Sequence, residues 1–215
     1  MESWIRIEAG QLDRAAALAA DLTDQAERHG FDQWRLIGAA QQATVGALAA
    51  LGADQLDPSG LRAHIATVIR FVDTWRRLGV NMYLTFYDSV VARLLIAAGQ
   101  PQQARAHLDT ALAQARDTGM CFYDAELLRL RAPTHADPDA RQADIGAALE
   151  LARSQGATLF ELRAALDDYD LRGQPARAAL IDAASRIPAN NAWHGRRPAS
   201  PTICHESETG PDATR

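Results

Sequence analysis

Residues 117–132 read DTGMCFYDAELLRLRA, and residues 148–166 read ALELARSQGATLFELRAAL. In each stretch a glycine, Gly119 or Gly156, interrupts a helical pattern. A new apolar pattern follows, with an aromatic and an acidic residue near its start. Glycine adopts left-handed backbone at low cost and often ends helices. The two stretches therefore predict a repeated unit in which one helix ends at a glycine and the next begins a few residues later.

A period of 37 residues links this unit to its neighbours. Pro101, Pro138 and Pro175 are each 37 residues apart, and the same shift carries Gly119 onto Gly156. Proline is favoured in the first turn of a helix, so the three prolines predict the starts of equivalent helices. A repeat of helix, turn and helix with this length is typical of helical-hairpin solenoids and is nearest to the tetratricopeptide type.

The same punctuation extends towards the N-terminus, where apolar residues at helical spacing end at glycines: Gly10, Gly30, Gly52, Gly79 and Gly99. We therefore expect an all-α solenoid of four or five hairpins over residues 1–187. Residues 188–215 are rich in Pro, Ser, Thr, Gly and Asn and lack apolar periodicity, which predicts a disordered C-terminal tail.

Composition narrows the classes of function. The formal net charge of −5 gives no general attraction to nucleic acid, and no apolar run approaches the roughly 20 residues of a membrane helix. The chain contains no lysine, which excludes a Walker A phosphate loop and a pyridoxal Schiff base. Two cysteines indicate no disulfide framework. We expect a cytoplasmic protein with no cofactor, no direct contact with nucleic acid and no membrane association.

The two stretches resemble the C-terminal tetratricopeptide-like repeat region of bacterial multidomain signalling ATPases. Those proteins join such repeats to an ATPase and to an adenylate cyclase-like or LuxR-type DNA-binding domain. The family's first run has an aromatic pair, an acidic-apolar segment and Arg-Leu-Arg, and its second has Gln-Gly-Ala and Glu-Leu-Arg-Ala-Ala. The matching segments are 122–123, 124–127, 129–131, 155–157 and 161–165.

The resemblance implies a non-catalytic protein-interaction or sensor module of a signalling or transcription-regulatory system. It spans roughly residues 1–187 and includes no cyclase domain, phosphate loop or helix-turn-helix. Ala132 stands where the family has glycine, and the helix before Pro133 is shorter than the family pattern. No catalytic residue can be carried over, so we expect no enzymatic activity. The implied partner is a protein, for example an ATPase- or cyclase-type protein encoded upstream.

Candidate binding residues lie on the first helices of the hairpins, which line the inner surface of such solenoids. They combine amphipathic aromatic and polar side chains: Trp34, Gln41, Tyr83, Tyr87, Asp88, Tyr123, Glu126 and Arg129. The aromatic residues can equally pack between hairpins. An alternative function is a regulatory domain that binds a small inducer on this surface, and a weaker alternative is an enzyme of unknown class.

Two further groups of residues bear on sites and partners. Asp167, Asp168 and Asp170 offer carboxylates, but their place at a helix end favours a solvated face over a metal site. At the N-terminus, Trp4, Ile5 and Ile7 precede Gly10 on a segment too short for a full helix. A solenoid needs capped ends, so we expect residues 1–30 to form a sticky edge for self-association or docking. The alternative is that Trp4 folds back and caps the end.

Overall fold

This computed structural model describes residues 2–53 and 57–187, in which helices are joined by short turns. Within these ranges the chain forms ten α-helices and no strand, which confirms the all-α helical-repeat fold. The helices are α1 (Glu2–Glu8), α2 (Leu12–His29), α3 (Asp32–Leu51), α4 (Pro58–Arg77), α5 (Leu84–Ala97), α6 (Pro101–Thr118), α7 (Asp124–Arg131), α8 (Pro138–Ser154), α9 (Thr158–Arg172) and α10 (Arg177–Ser185). The predicted tail, 188–215, lies outside the described residues.

The helices form five consecutive antiparallel pairs, from α1 with α2 to α9 with α10. Each odd-numbered helix also packs against the next odd-numbered helix. The odd-numbered helices therefore make one continuous layer. We call them the inner helices, and we call the even-numbered helices the outer helices. The solvent-facing side of the inner layer is the inner surface. Helix α5 is the centre of the molecule, because nearly all its residues from Leu84 to Leu95 are buried.

Glycine ends these helices as the sequence predicts. Gly156 has φ +65°, a left-handed conformation that other residues rarely adopt. Its N–H donates to the carbonyl of Arg153 at 3.1 Å, while the N–H of Ala157 donates to the carbonyl of Ala152 at 2.8 Å. This paired pattern satisfies the last carbonyls of α8 and turns the chain towards α9.

Some helix starts differ from the sequence-based expectation. Asp57 and Asp137 cap α4 and α8 with their carboxylates, and a proline follows each cap. Pro101 and Pro138 do begin helices, but Pro175 lies in a 3-10 turn before α10. The second helix of the last hairpin thus begins with a 3-10 turn, whereas α6 and α8 begin at their prolines.

Similar ion pairs connect α4 to α5 and α8 to α9. Arg76, at the end of α4, donates to Asp88 on α5 at 2.7 Å. Arg153, near the end of α8, donates to Glu161 on α9 at 2.8 Å. Both carboxylates are almost completely buried. A cation from an outer helix thus neutralises an acidic residue near the start of the next inner helix.

The N-terminal helix closes the end of the solenoid. Trp4 and Ile7 are buried in the main apolar core, at 9% and 4% exposure. The expectation that these two residues form a sticky edge is therefore wrong, because they pack inward against the chain itself. The alternative, in which Trp4 folds back, describes the structure. Ile5 on the same helix does face solvent, with 61% exposure.

Candidate functional site

A buried cluster of charges lies where α5, α7 and α9 meet. Glu126 on α7 is completely buried. Its carboxylate accepts hydrogen bonds from Arg93 at 2.6 Å, from Arg129 at 2.8 and 3.0 Å, and from Arg163 at 3.3 Å. Arg129 donates in addition to Asp167 at 2.6 Å. One carboxylate therefore holds an arginine from each of three consecutive inner helices.

Helix α1 adds a third carboxylate to this cluster from the far end of the chain. Glu8 accepts hydrogen bonds from Arg163 at 2.5 Å and from the hydroxyl of Tyr123 at 2.5 Å. The backbone carbonyl of Glu8 accepts another from Arg163 at 3.0 Å, and Arg93 lies 3.9 Å from the carboxylate. Residues 155 positions apart in the sequence are thereby joined.

The charges in the cluster control its ionisation. Burial alone would raise the pKa of Glu126, but Arg129, Arg163 and Arg93 outweigh it and hold that pKa well below its ordinary value. Burial raises the pKa of Tyr123 well above its ordinary value, and the nearby charge of Glu8 raises it further. Glu126 is therefore a carboxylate and Tyr123 a neutral hydrogen-bond donor near neutral pH.

An apolar cleft of about 640 Å³ opens beside this cluster, between α1 and the start of α9. Tyr83 stacks on Trp4 with ring centroids 4.1 Å apart, and Tyr123 meets Phe160 edge to face at 4.9 Å. All four rings line the cleft, and Glu8 lies in its wall. We call this feature the α1–α9 cleft. It offers aromatic surface together with a few polar groups.

The rim of the α1–α9 cleft exposes apolar side chains to solvent. Ile5 is 61% exposed and Phe122 is 43% exposed. Leu159 and Ile187 complete the apolar lining on the opposite side. Exposed apolar residues that continue into a concave aromatic surface are characteristic of binding sites.

The candidate residues from the sequence fall into three groups. Tyr83 and Tyr123 line the α1–α9 cleft, and Glu126 and Arg129 belong to the charge cluster beside it. The remaining four, Gln41, Tyr87, Asp88 and Trp34, lie elsewhere. The fold thus brings four of the eight candidates together: Tyr83, Tyr123, Glu126 and Arg129.

Three candidates are covered by the protein itself. Gln41 and Tyr87 are buried between α3 and α5, at 1% and 0% exposure. Asp88 is 1% exposed and faces Arg76 and His107 on the outer helices. They lie on α3 and α5, as predicted, but their side chains are covered by the rest of the protein, and the hydroxyl of Tyr87 accepts a hydrogen bond from Trp4 of α1.

Trp34 stands apart from the other candidates. It lies near the start of α3 and is 48% exposed, close in sequence to the exposed Phe31 and Leu36. It does not line the α1–α9 cleft. The exposed apolar residues around it form a separate surface at the turn between α2 and α3.

Sequence reasoning missed the residues that complete the site. Glu8, Arg163 and Phe160 were not among the candidates, although Arg163 lies in the segment Glu-Leu-Arg-Ala-Ala that carried the resemblance. Arg163 is 37 residues after Glu126, so the repeat itself places the two at equivalent positions of consecutive inner helices. That spacing was the available signal for Arg163. No local pattern indicates that Glu8 contacts α9.

Asp167 and Asp168 at the end of α9 form pairs within the protein, and the expected solvated face is wrong for Asp168, which is completely buried. Asp167 accepts from Arg129, and Asp168 accepts from Arg172 and from Gln142. In the described parts of the chain, no group of three or more His, Cys, Asp or Glu side chains is arranged to hold a metal ion. No helix within those parts is both long and apolar enough to cross a membrane.

Comparison with known proteins gives one distant relative. A protein of Rhizobium meliloti (strain 1021), described as uncharacterized, is 30% identical over 156 residues, which cover 71% of this chain. The matched region is 14% of that protein, so the relative is about 1,100 residues long and this chain spans a small part of it. No protein-family model matches the chain, and no solved structure matches it.

Proposed function

We propose that this chain is a non-catalytic interaction module of a bacterial signalling or regulatory system, and that it binds a peptide segment of a protein partner in the α1–α9 cleft. The observation that carries the proposal is the cleft itself. It is apolar and aromatic, it opens to solvent, and its rim exposes Ile5 and Phe122. Apolar anchors that enter such surfaces dominate the energy of many protein interfaces.

The chemistry around the cleft supports binding over catalysis. The titratable groups nearest to the cleft form ion pairs within the protein, since Arg163 pairs with both Glu8 and Glu126. Burial keeps the pKa of Tyr123 above its ordinary value, so its hydroxyl is a poor general base. The described residues around the cleft thus offer hydrogen-bonding and apolar contacts without an activated nucleophile.

The setting of the module is also a proposal. The resemblance of residues 122–131 and 155–165 to the repeat region of signalling ATPases suggests a partner of that class, either a separate protein or another part of a longer chain. The length of the Rhizobium relative is compatible with a repeat region that works within a large protein. We accordingly expect the module to act in the cytoplasm.

A peptide-display selection on the full chain tests the proposal. Ile5→Asp places a charge on the cleft rim, and Ile181→Asp makes the same change at an equally exposed isoleucine on α10, outside the cleft. Peptides enriched on the wild type should bind the Ile181→Asp variant equally well and the Ile5→Asp variant at least ten-fold more weakly. The proposal is overturned if no peptide is enriched, or if the enriched peptides bind both variants alike.

The second candidate function is the binding of a small inducer in the same cleft. The observation that favours it is size, because about 640 Å³ lies within the range of small-molecule pockets. A thermal-shift screen of apolar and aromatic compounds would distinguish the two. An inducer should raise the melting temperature of the wild type and of Ile181→Asp, and it should have no such effect on Ile5→Asp.

A further inference from the structure

Helix α1 is a weak element by itself. It has seven residues, whereas isolated helices shorter than about 12 residues are marginal in water. Gly10, with φ +73°, ends it and separates it from α2. Its place in the fold must therefore come from its packing against α2 and α3 and from the contacts that its side chains make with α5, α7 and α9.

The contacts with α5, α7 and α9 are concentrated in two anchors one helical turn apart, Trp4 and Glu8. Trp4 stacks on Tyr83, and its Nε1–H donates to the hydroxyl of Tyr87 at 3.3 Å. Glu8 accepts from Tyr123 and Arg163. The anchors bind to α5 at one end and to α7 and α9 at the other. Helix α1 thus lies across three inner helices as a bound peptide would.

The charge of the surface beneath α1 matches this arrangement. Without Glu8, the cluster contains the three guanidinium groups of Arg93, Arg129 and Arg163 and the two carboxylates of Glu126 and Asp167. Its net charge is then +1, and Glu8 brings it to zero. Arg93 also retains a buried Nε–H that has no acceptor. The surface is therefore complementary to one carboxylate in addition to its own.

We propose that α1 is a displaceable occupant of the inner surface, and that the partner replacing it is a helical segment of another protein with a large aromatic residue and, one turn later, a carboxylate. Trp4 and Glu8 are the built-in copies of those two features. This inference goes beyond peptide binding in the α1–α9 cleft, which requires no movement of α1. When α1 leaves, the binding surface extends from Tyr83 and Tyr123, which already line the cleft, to Arg163, which Glu8 covers in this structure.

Exchange of α1 for a peptide tests the proposal. The probe is a fluorescent synthetic peptide ESWIRIEA, the sequence of residues 2–9, and the control peptide carries the Glu8→Gln change. The proteins are the full chain and its Trp4→Ala, Glu8→Gln double variant, whose own α1 lacks both anchors. Binding is followed by fluorescence anisotropy.

The double variant should bind ESWIRIEA at least ten-fold more tightly than the wild type, in which tethered α1 competes at an effective concentration of the order of millimolar. The control peptide should bind the double variant at least ten-fold more weakly than ESWIRIEA, because it cannot neutralise Arg163. Equal binding of the two peptides, equal binding by the two proteins, or no binding to a folded double variant overturns the proposal.

Hydrogen exchange on the wild type tests the same proposal even if the double variant does not fold. The amides of Arg6 to Ala9 should exchange by local opening, at least ten-fold faster than those of Val90 to Leu94 in buried α5. Equal protection of the two segments would show that α1 leaves the surface only when the whole chain unfolds. That result overturns the proposal. Neither experiment depends on Ile5, so failure here is distinct from failure of the cleft proposal.

Discussion

Replacement of Glu126 by glutamine should destabilise the protein strongly while leaving its shape unchanged. Glu126 is completely buried and contacts Arg93, Arg129 and Arg163. Glutamine keeps the size of the side chain but removes the negative charge, so the three arginines repel one another in a buried site. Removal of one partner from a buried ion pair typically costs about 3–5 kcal/mol.

The expected loss can be converted into a measurable shift. For a chain of this size, about 3–5 kcal/mol corresponds to a fall in melting temperature of roughly 6–20 °C. The assays are thermal unfolding, which gives the melting temperature, and urea unfolding, which gives the free energy, both at pH 7 and followed by circular dichroism at 222 nm. The control is Glu150→Gln, an exposed residue on α8, which should change the free energy of unfolding by less than about 0.5 kcal/mol.

The difference between wild type and Glu126→Gln should also depend on pH. The folded state holds the pKa of Glu126 below its ordinary value of 4.5, so the unfolded state takes up the proton first. The stability that Glu126 contributes is present above pH 4.5 and is lost as the pH falls through the pKa of the folded state. The difference should therefore narrow below about pH 4.5. If the variant matches the control at pH 7, or if the difference widens in acid, the cluster does not have the role described.

Three other predictions concern the ends and caps of the solenoid. Trp4→Glu should lower the free energy of unfolding by about 3 kcal/mol or more, because it places a charge in the core; unchanged urea unfolding would contradict the burial of Trp4. Asp137→Ala should cost about 1 kcal/mol through loss of the α8 cap, whereas Asp137→Asn should cost much less, and equal effects of the two would exclude capping as the cause. Limited proteolysis should cleave after Ile187 and leave a helical core, as the composition of residues 188–215 predicts. Cleavage within residues 12–180 at the same rate as cleavage after Ile187 would refute this boundary.

The repeat made most of the fold predictable from sequence. Gly119 and Gly156 mark helix ends because left-handed backbone favours glycine, and Pro101 and Pro138 mark helix starts. These are local effects that need no knowledge of the rest of the chain. The caps at Asp57 and Asp137 are equally local, because each aspartate precedes a proline. The starts of α4 and α8 could therefore have been predicted from these Asp-Pro pairs.

The candidate site was less predictable because it depends on contacts between distant hairpins. Glu126 and Arg129 were identified from their inner helix, and the 37-residue repeat could have added Arg163. Glu8 is different, since its partner Arg163 is 155 residues away. The contact between them depends on how sharply the stack of hairpins curves. Curvature arises from the packing of whole helices, which a periodic pattern does not specify. For the same reason, residues such as Tyr87 could be assigned to an inner helix but not to its exposed or buried side.

The central claim is that the α1–α9 cleft is where this protein binds a partner. The most direct measurement is a titration of the isotopically labelled full chain with a display-selected peptide, followed by the backbone amide chemical shifts. The account predicts that the largest shifts occur at Ile5, Phe122 and Thr158–Phe160, with little change on the outer helices α4 and α6. Shifts concentrated on α4 and α6, with the cleft residues unchanged, would contradict it.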